Sequence, residues 1–317
     1  MNDFEKLKKN SAAQFNKIRW AMNAEQKKAT HSRIDAFVQK SLKSVGRFRE
    51  AQRLKNCRRS AYCSSVYCGA CRDRMAQKLL KRVRAHLRSE DIGDDSCRDR
   101  LRWVTILHSL ETAEIDDIRN ATDKARAEYV QLNRKLKGSW AQGAFEYELV
   151  DMQKVQSRVT GTASGNRKKA TLLELGGYKA KLYNQDLSWC WTDKAGNQRT
   201  DYVLVHTHFL MDCGTDDWKA IERDMRRRWH KSYQVRIDTL TDYSVRSLED
   251  SLWKMSSYCF KNRCSHHYEF GSYDIDEFEA NENMFSISEL NTIYEIYKSI
   301  SGSRNNGLLL SWRKKQL

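Results

Sequence analysis

A ten-residue run of apolar and aromatic residues, from Tyr202 to Met211, constrains the fold of this chain more than any other stretch. It reads YVLVHTHFLM, and its β-branched, aromatic and aliphatic side chains predict a buried β-strand. Residues two apart on a strand point to the same face, so His206 and His208 project side by side. Two such imidazoles can share a divalent metal ion, although a histidine on a strand is more often a hydrogen-bonding residue.

The positive charge of the chain is concentrated near its N-terminus. The formal net charge is +16, of which residues 1–88 contribute +17 and the remainder −1. A basic segment of this kind indicates a polyanionic partner such as nucleic acid. The sequence has no apolar run of about 18 residues and no apolar signal segment, so we expect a cytoplasmic protein with no membrane partner.

Four cysteines lie close together and are followed by a basic stretch: Cys57, Cys63, Cys68 and Cys71. Clustered thiols in a reducing compartment favour a structural zinc site over disulfides, the alternative being four unrelated small buried residues. The next stretch has the apolar spacing of an amphipathic helix. We predict that its cations contact DNA phosphates, namely Lys78, Lys81, Arg82 and Arg84.

Side-chain periodicity predicts both strands and helices in the rest of the chain. The run of apolar and β-branched residues over 102–108 predicts one strand, and alternation over 143–150 predicts a second, with Glu146 and Glu148 on one side. Apolar residues at three- and four-residue steps predict a long helix over 115–136.

A further helix is predicted over 216–230, with arginines at its end. We expect Arg226, Arg227 and Arg228 to contact a nucleic-acid strand. The alternative is an ordinary basic helix terminus that complements the helix dipole.

Another helix is predicted over 245–261, before one over 287–300, and it carries Tyr258 and Lys261 three residues apart. Residues at that spacing are neighbours on one helical face. A tyrosine beside an apolar stripe is more often part of a core than a catalyst. The spacing alone therefore leaves both roles open.

The order of these motifs resembles the HUH endonucleases, and within them the rolling-circle replication initiators of small bacterial plasmids. Residues 102–108 resemble the first motif of the family, and His206-Thr207-His208 resembles its metal-binding motif. Tyr258-Cys-Phe-Lys261 is similar to the nucleophile motif. The segment from Gly143 to Glu148 is similar to the strand that supplies a third metal ligand, with Glu148 the first choice and Glu146 the alternative.

The resemblance implies an α+β fold in which a central antiparallel sheet has helices packed on one face. The metal-binding strand would lie centrally, with the tyrosine helix beside it. A basic, mostly helical zinc-knuckle region would precede this domain, since the four cysteines resemble those before the nuclease core of such initiators. The expected division is a basic helical segment 1–56, a cysteine cluster with its helix 57–95, a nuclease domain 96–265 and a helical extension 266–317.

The resemblance also implies an activity. His206, His208 and Glu148 would bind Mg²⁺ or Mn²⁺, and Tyr258, assisted by Lys261, would attack single-stranded origin DNA to form a 5′-phosphotyrosine. Structural Zn²⁺, single-stranded and duplex origin DNA, and a host helicase and polymerase are the expected cofactor and partners.

Three positions depart from the family pattern. Thr207 replaces a bulky hydrophobic residue between the histidines, and the family's Cys-Pro-x-Cys reads Cys68-Gly-Ala-Cys71 in a chain without proline. Lys254 stands four residues before the tyrosine, where some relatives have a glutamate.

Two other interpretations remain open. A zinc-dependent DNA-binding regulator without catalysis would need only the cysteines and the basic N-terminal region. Within the same chemistry, a relaxase or a rolling-circle transposase is the other alternative. Relaxases usually place the tyrosine before the histidines, which is the reverse of the order in this sequence.

Overall fold

A computed structural model describes residues 35–57, 62–90, 99–136, 138–157, 169–176, 189–231, 233–239, 248–260, 285–301 and 308–312. The fold is mixed α+β, as expected. Its helices are α1 (35–44), α2 (Phe48–Lys55), α3 (Gly69–Ser89), α4 (Ile115–Lys135), α5 (Met152–Ser157), α6 (169–176), α7 (Trp218–Arg228), α8 (Leu248–Tyr258) and α9 (Ile287–Ser301). Its strands are β1 (Leu101–Thr112), β2 (Trp140–Asp151), β3 (Trp191–Thr192), β4 (Gln198–Arg199), β5 (Asp201–Asp212), β6 (Val235–Thr239) and β7 (Leu309–Trp312).

The main sheet has five strands in the order β6-β1-β5-β2-β7, and the described pairings are antiparallel. Strand β5, which contains the apolar run, lies in the middle of this order, and all its residues are buried. Its two neighbours satisfy its backbone groups, and its apolar side chains fill both layers beside the sheet. The predicted central position of this strand is confirmed.

Helices pack on both faces of the sheet. Helix α4 covers one face, where Tyr129 contacts Phe145 and Phe209. Helices α3 and α8 cover the other face, where Leu79 and Leu252 share a core with residues of β1, β2 and β5. The expectation of helices on one face alone is therefore wrong. The physical reason is that β5 is apolar on both sides and needs cover on each.

The cysteine region and the C-terminal helix α9 pack together against the sheet. Tyr67 is fully buried between the rings of Tyr294 and Tyr297. The Tyr297 hydroxyl accepts from the backbone N–H of Tyr147 on β2 and donates to its carbonyl oxygen. Helix α9 thus provides hydrogen-bond partners for backbone groups of β2 that lie beyond the part of the strand paired with β7.

A buried carboxylate fixes α3 to the end of the sheet. Asp212, at the end of β5, accepts hydrogen bonds from Arg100 at 2.7 and 3.0 Å and lies 2.8 Å from Nε2 of His86 on α3. The His86 ring also stacks on Trp140 with parallel planes at 4.2 Å. Burial alone would raise the pKa of Asp212, but the bonds from His86, Arg100 and Gly214 lower it below its ordinary value.

None of the described helices is long and apolar enough to cross a membrane. Several predicted parts of the chain lie outside the described residues. They include residues 1–34 of the basic segment, residues 245–247 of the predicted helix over 245–261, and residues 266–284, 302–307 and 313–317 of the C-terminal extension.

We predict that Asp212→Asn lowers the free energy of unfolding by about 2–4 kcal/mol at neutral pH, because it leaves Arg100 and His86 without a buried anion. A carboxyl whose pKa is lowered by folding stabilises the protein above about pH 4, and this contribution is lost as the pH falls through the lowered value. Urea denaturation of both proteins should therefore show a difference that shrinks in acid.

The control for this experiment is Asp123→Asn, which removes an exposed carboxylate paired with Arg126. Its effect should stay below about 1 kcal/mol, as for other surface pairs. A difference between wild type and Asp212→Asn that is equal at neutral and acidic pH would contradict the assignment.

Candidate active site

Three buried side chains meet on the α3/α8 face of the sheet. Nε2 of His208 lies 3.2 Å from Oε2 of Glu146, and Nε2 of His206 lies 3.7 Å from the same oxygen. The two imidazole rings are 4.9 Å apart between centroids. Since one donor atom from each residue lies within 4.8 Å of the others, the three residues form a group that can hold a metal ion.

The register of β2 against β5 determines which carboxylate joins the histidines. Glu146 is paired with His206, whereas Glu148 is paired with Leu204 one step further along the same face. The carboxylate that lies with the two histidines is therefore Glu146 and not Glu148, the first choice from the sequence. At Gly143 the strands approach so closely that a Cβ would lie 2.1 Å from the His208 carbonyl oxygen, so this register requires glycine there.

Strand β1 orients one of the two histidines. The Thr105 hydroxyl lies 2.8 Å from Nδ1 of His208, its partner across the strands. In the tautomer whose Nδ1–H donates to Thr105, the lone pair of Nε2 would point toward Glu146, which is the arrangement of a histidine that binds metal. The Trp103 ring lies parallel to the His208 ring at 5.8 Å and supports it from the side.

The structure brings Tyr258 to this cluster, although it is fifty residues from His208 in sequence. The two rings meet edge to face with centroids 4.8 Å apart, and Tyr258 also meets Trp103 edge to face. The next residue, Cys259, donates its thiol to the His208 carbonyl oxygen at 3.3 Å, which ties the end of α8 to β5. Burial and the nearby Glu146 carboxylate raise the pKa of that thiol, so it is no nucleophile at neutral pH.

Thr207, between the two histidines, belongs to a polar group on the opposite face of β5. Its hydroxyl lies 3.1 Å from Nε2 of His108 and is hydrogen-bonded to the Tyr129 hydroxyl. Tyr129 in turn lies 3.1 Å from the same His108 nitrogen. Burial, with a smaller effect of His206, lowers the pKa of His108 to about 3, so this imidazole is neutral at physiological pH.

The Glu146, His206 and His208 group fits a divalent ion. Two ligands at about 2.1 Å and a right angle from a metal are about 3.0 Å apart, close to the distances between these nitrogen and oxygen atoms. A carboxylate with two imidazoles suits Mn²⁺, and Mg²⁺ less strongly, because Mg²⁺ prefers oxygen ligands.

The four cysteines form a second candidate metal site at the start of α3. Sγ of Cys71 lies 3.6 Å from Sγ of Cys57 and of Cys63, and all four sulfurs lie within 4.8 Å of one another. Sulfurs at about 2.3 Å from a tetrahedral zinc would be about 3.8 Å apart. The Cys63 and Cys68 thiols lower the pKa of Cys71 well below its ordinary value, which favours the thiolate that a metal requires.

The predicted DNA contacts separate into two groups on opposite faces of the sheet. Lys78, Lys81, Arg82 and Arg84 are exposed on α3, on the face of the metal cluster. Helix α7, which carries Arg226, Arg227 and Arg228, packs on the α4 face. The structure therefore does not bring these three arginines to the cluster. Lys261 lies outside the described residues.

The sequence analysis missed three residues that contact this site: Thr105, Trp103 and Cys259. The predicted strand over 102–108 contains Trp103 and Thr105. The sequence did not show which partner strand they would face, because register is set by the folded sheet.

No protein-family model, no curated protein and no solved structure matched the chain in our comparisons. The interpretation of the site therefore depends on its own geometry.

We predict that Glu146→Gln weakens Mn²⁺ binding by about 10–100-fold or more, because it removes the anionic ligand between two imidazoles. Glu148→Gln is the matched control, since it makes the same change two residues away on the same face, and it should leave the affinity near the wild-type value. Titration of Mn²⁺ by calorimetry or electron paramagnetic resonance compares them. A larger loss of Mn²⁺ affinity in Glu148→Gln than in Glu146→Gln would instead identify Glu148 as the third ligand.

We also predict that Thr207→Val and Tyr129→Phe each lower the free energy of unfolding by about 1–3 kcal/mol, because each leaves a buried polar partner unsatisfied. The double variant should lose less than the sum, since both members of the pair are then absent. Urea denaturation of the single and double variants measures the coupling energy between the two side chains. Additive losses of stability would contradict the hydrogen bond between them. The Mn²⁺ affinity should stay near the wild-type value, because these side chains lie on the other face of the sheet.

Proposed function

We propose that this protein is a metal-dependent DNA strand transferase that nicks and rejoins single-stranded DNA through a tyrosine nucleophile. The observation that carries the proposal is the position of Tyr258, whose ring lies 4.8 Å from that of His208 in the Glu146, His206 and His208 cluster. A tyrosine, a buried ligand group and basic surfaces together suit phosphodiester chemistry.

The Glu146, His206 and His208 group binds Mg²⁺ or Mn²⁺ in this proposal. When bound, such an ion supplies positive charge that offsets the charge developing on phosphate oxygens. Thr105 holds the His208 ring in place through Nδ1, and Trp103 supports the same ring. In this proposal, these two residues position His208 as a metal ligand.

Tyr258 is the nucleophile. Its phenolic oxygen forms a bond to phosphorus while the bond from phosphorus to the 3′-oxygen breaks, and the leaving oxygen takes up a proton to become a 3′-hydroxyl. The product is a 5′-phosphotyrosine, which conserves the phosphodiester energy so that the strand can be rejoined. A phenol ionises near pH ~10 in water, so a nearby cation must favour its ionised form, and Lys261 is the proposed residue.

The biological role that fits best is initiation of rolling-circle replication of a plasmid or phage, with the HUH endonucleases as the related family. The order of the motifs supports this role, and the free 3′-hydroxyl suits a polymerase. The cysteine group is proposed to hold structural Zn²⁺ and, with α3, to bind origin DNA. A host helicase and polymerase would act on the nicked product.

We predict that Mn²⁺ and single-stranded oligonucleotides from the replicon give a slower, DNA-linked protein band on a denaturing gel. The band should need metal and disappear in Tyr258→Phe, because phenylalanine has no oxygen to attack phosphorus. Tyr233→Phe, at an exposed tyrosine, is the control and should keep the band.

Three results would count against this function. A band that persists in Tyr258→Phe would mean that another residue is the nucleophile. A band that forms without metal would remove the role of the Glu146, His206 and His208 group. The absence of a band in the wild type, with duplex binding intact, would favour the zinc-dependent DNA-binding regulator.

A further inference from the structure

Helix α7 presents a row of cations on the side of the sheet away from the metal cluster. Its buried residues Ile221 and Met225 share a core with α4 and with Phe209 of β5. The cluster instead lies on the α3/α8 face, because His206 and His208 alternate with Thr207 and Phe209 along β5. A phosphate bound at the cluster is therefore separated from α7 by the sheet.

The row consists of Lys219, Arg223, Arg226 and Arg227, which are exposed on α7. We name these four residues the α7 cation row. They line, together with Glu222, a shallow surface depression of about 470 Å³. Within the part of the chain that the structure describes, Lys219 and Arg223 make no ion pair, so no described carboxylate neutralises their charge.

Helix stability does not account for the whole row. Arginines in the last turn complement the negative end of the helix dipole, and Arg226 also donates to the Val235 carbonyl oxygen and to Glu222. Lys219, however, is the second residue of α7 and lies at the positive end, where Asp217 caps the helix. A cation there is unfavourable to the dipole.

The spacing of the row suits a sugar–phosphate backbone. Lys219 and Arg227 are eight residues apart, which spans about 12 Å of helix. Duplex DNA carries one phosphate per strand for about every 3.4 Å of its axis. Single-strand binders add aromatic side chains on which bases stack. The aromatic residue within α7, Trp218, is half-buried and donates its indole N–H to the Arg100 carbonyl oxygen.

We propose that the α7 cation row binds the backbone of duplex DNA, as a contact separate from the metal cluster. The proposal deepens the proposed function and rests on it, since this duplex would flank the strand that Tyr258 cleaves. The single strand would be bound at the Glu146, His206 and His208 group, and the adjoining duplex would be bound by α7 on the opposite face of the sheet. The contact is to phosphates and carries no base specificity.

The test is a triple variant, Lys219→Glu with Arg223→Glu and Arg227→Glu, which keeps Arg226 and its bond to Val235. The matched control reverses the same charge at exposed cations on α4, namely Lys124→Glu with Arg134→Glu and Lys135→Glu. Binding to a short fluorescent duplex is measured by anisotropy without metal, over a salt series. Circular dichroism and thermal unfolding confirm that both variants are folded.

The row variant should bind the duplex at least about tenfold more weakly, and its log–log salt slope should be shallower by about 2 to 3, as expected for three lost phosphate contacts. The control should change little, and both variants should keep the Tyr258 adduct on a single-stranded oligonucleotide. Equal weakening by the control, or unchanged duplex binding in the row variant, overturns the proposal. Equal weakening of duplex and single-strand binding would show a phosphate contact that does not distinguish the two forms, and would also overturn the proposal.

Failure of the two proposals can be told apart. Duplex binding is measured without metal and without reaction, so it does not depend on Tyr258. A wild type that forms no adduct contradicts the strand transferase, whatever the row variant does. A wild type that forms the adduct while the row variant binds duplex normally contradicts the cation row alone.

Discussion

The structure depends on the complete burial of strand β5. Strands β1 and β2 pair along its length, and helices cover both of its faces. A strand in this position has side chains that alternate between two dry layers, so each polar residue on it needs a partner in one layer or the other. His206 and His208 meet Glu146 in one layer, and Thr207 meets Tyr129 and His108 in the other.

This arrangement couples the candidate site to the core beneath it. The ring of His208 is held by Thr105 and Trp103 from β1, and its carbonyl oxygen accepts from Cys259 at the end of the tyrosine helix. Hydrogen bonds and ring contacts from two elements, β1 and the end of α8, thus hold the His208 ring and Tyr258 in place. Preorganisation of this kind would suit the proposed strand transferase, because positioning and charge supply most of the rate enhancement in phosphoryl transfer.

The basic surfaces lie on both sides of the same sheet. Helix α3 extends from the cysteine group across the face of the metal cluster, and the buried Asp212 anchors it there through His86. Helix α7 carries its cations on the opposite face. In the proposed function, this charge distribution would let one nucleic acid be held at two places, one where a strand reacts and one where its phosphates are only bound.

The sequence by itself determined most of the elements and the candidate site residues. The apolar run of β5 and the three- and four-residue steps of the helices located the central strand and the long helices, because these patterns reflect local backbone geometry. The order of the motifs, which resembles that of the HUH endonucleases, singled out the two histidines and Tyr258. The tertiary structure decided what depends on register and docking. The pairing of β2 with β5 puts Glu146, and not Glu148, beside the two histidines. Helices pack on both faces of the sheet, and Arg226 to Arg228 lie on the face opposite the cluster. No local pattern encodes these choices, since a shift of one strand or one helix changes the partners of a residue without changing its neighbours in sequence.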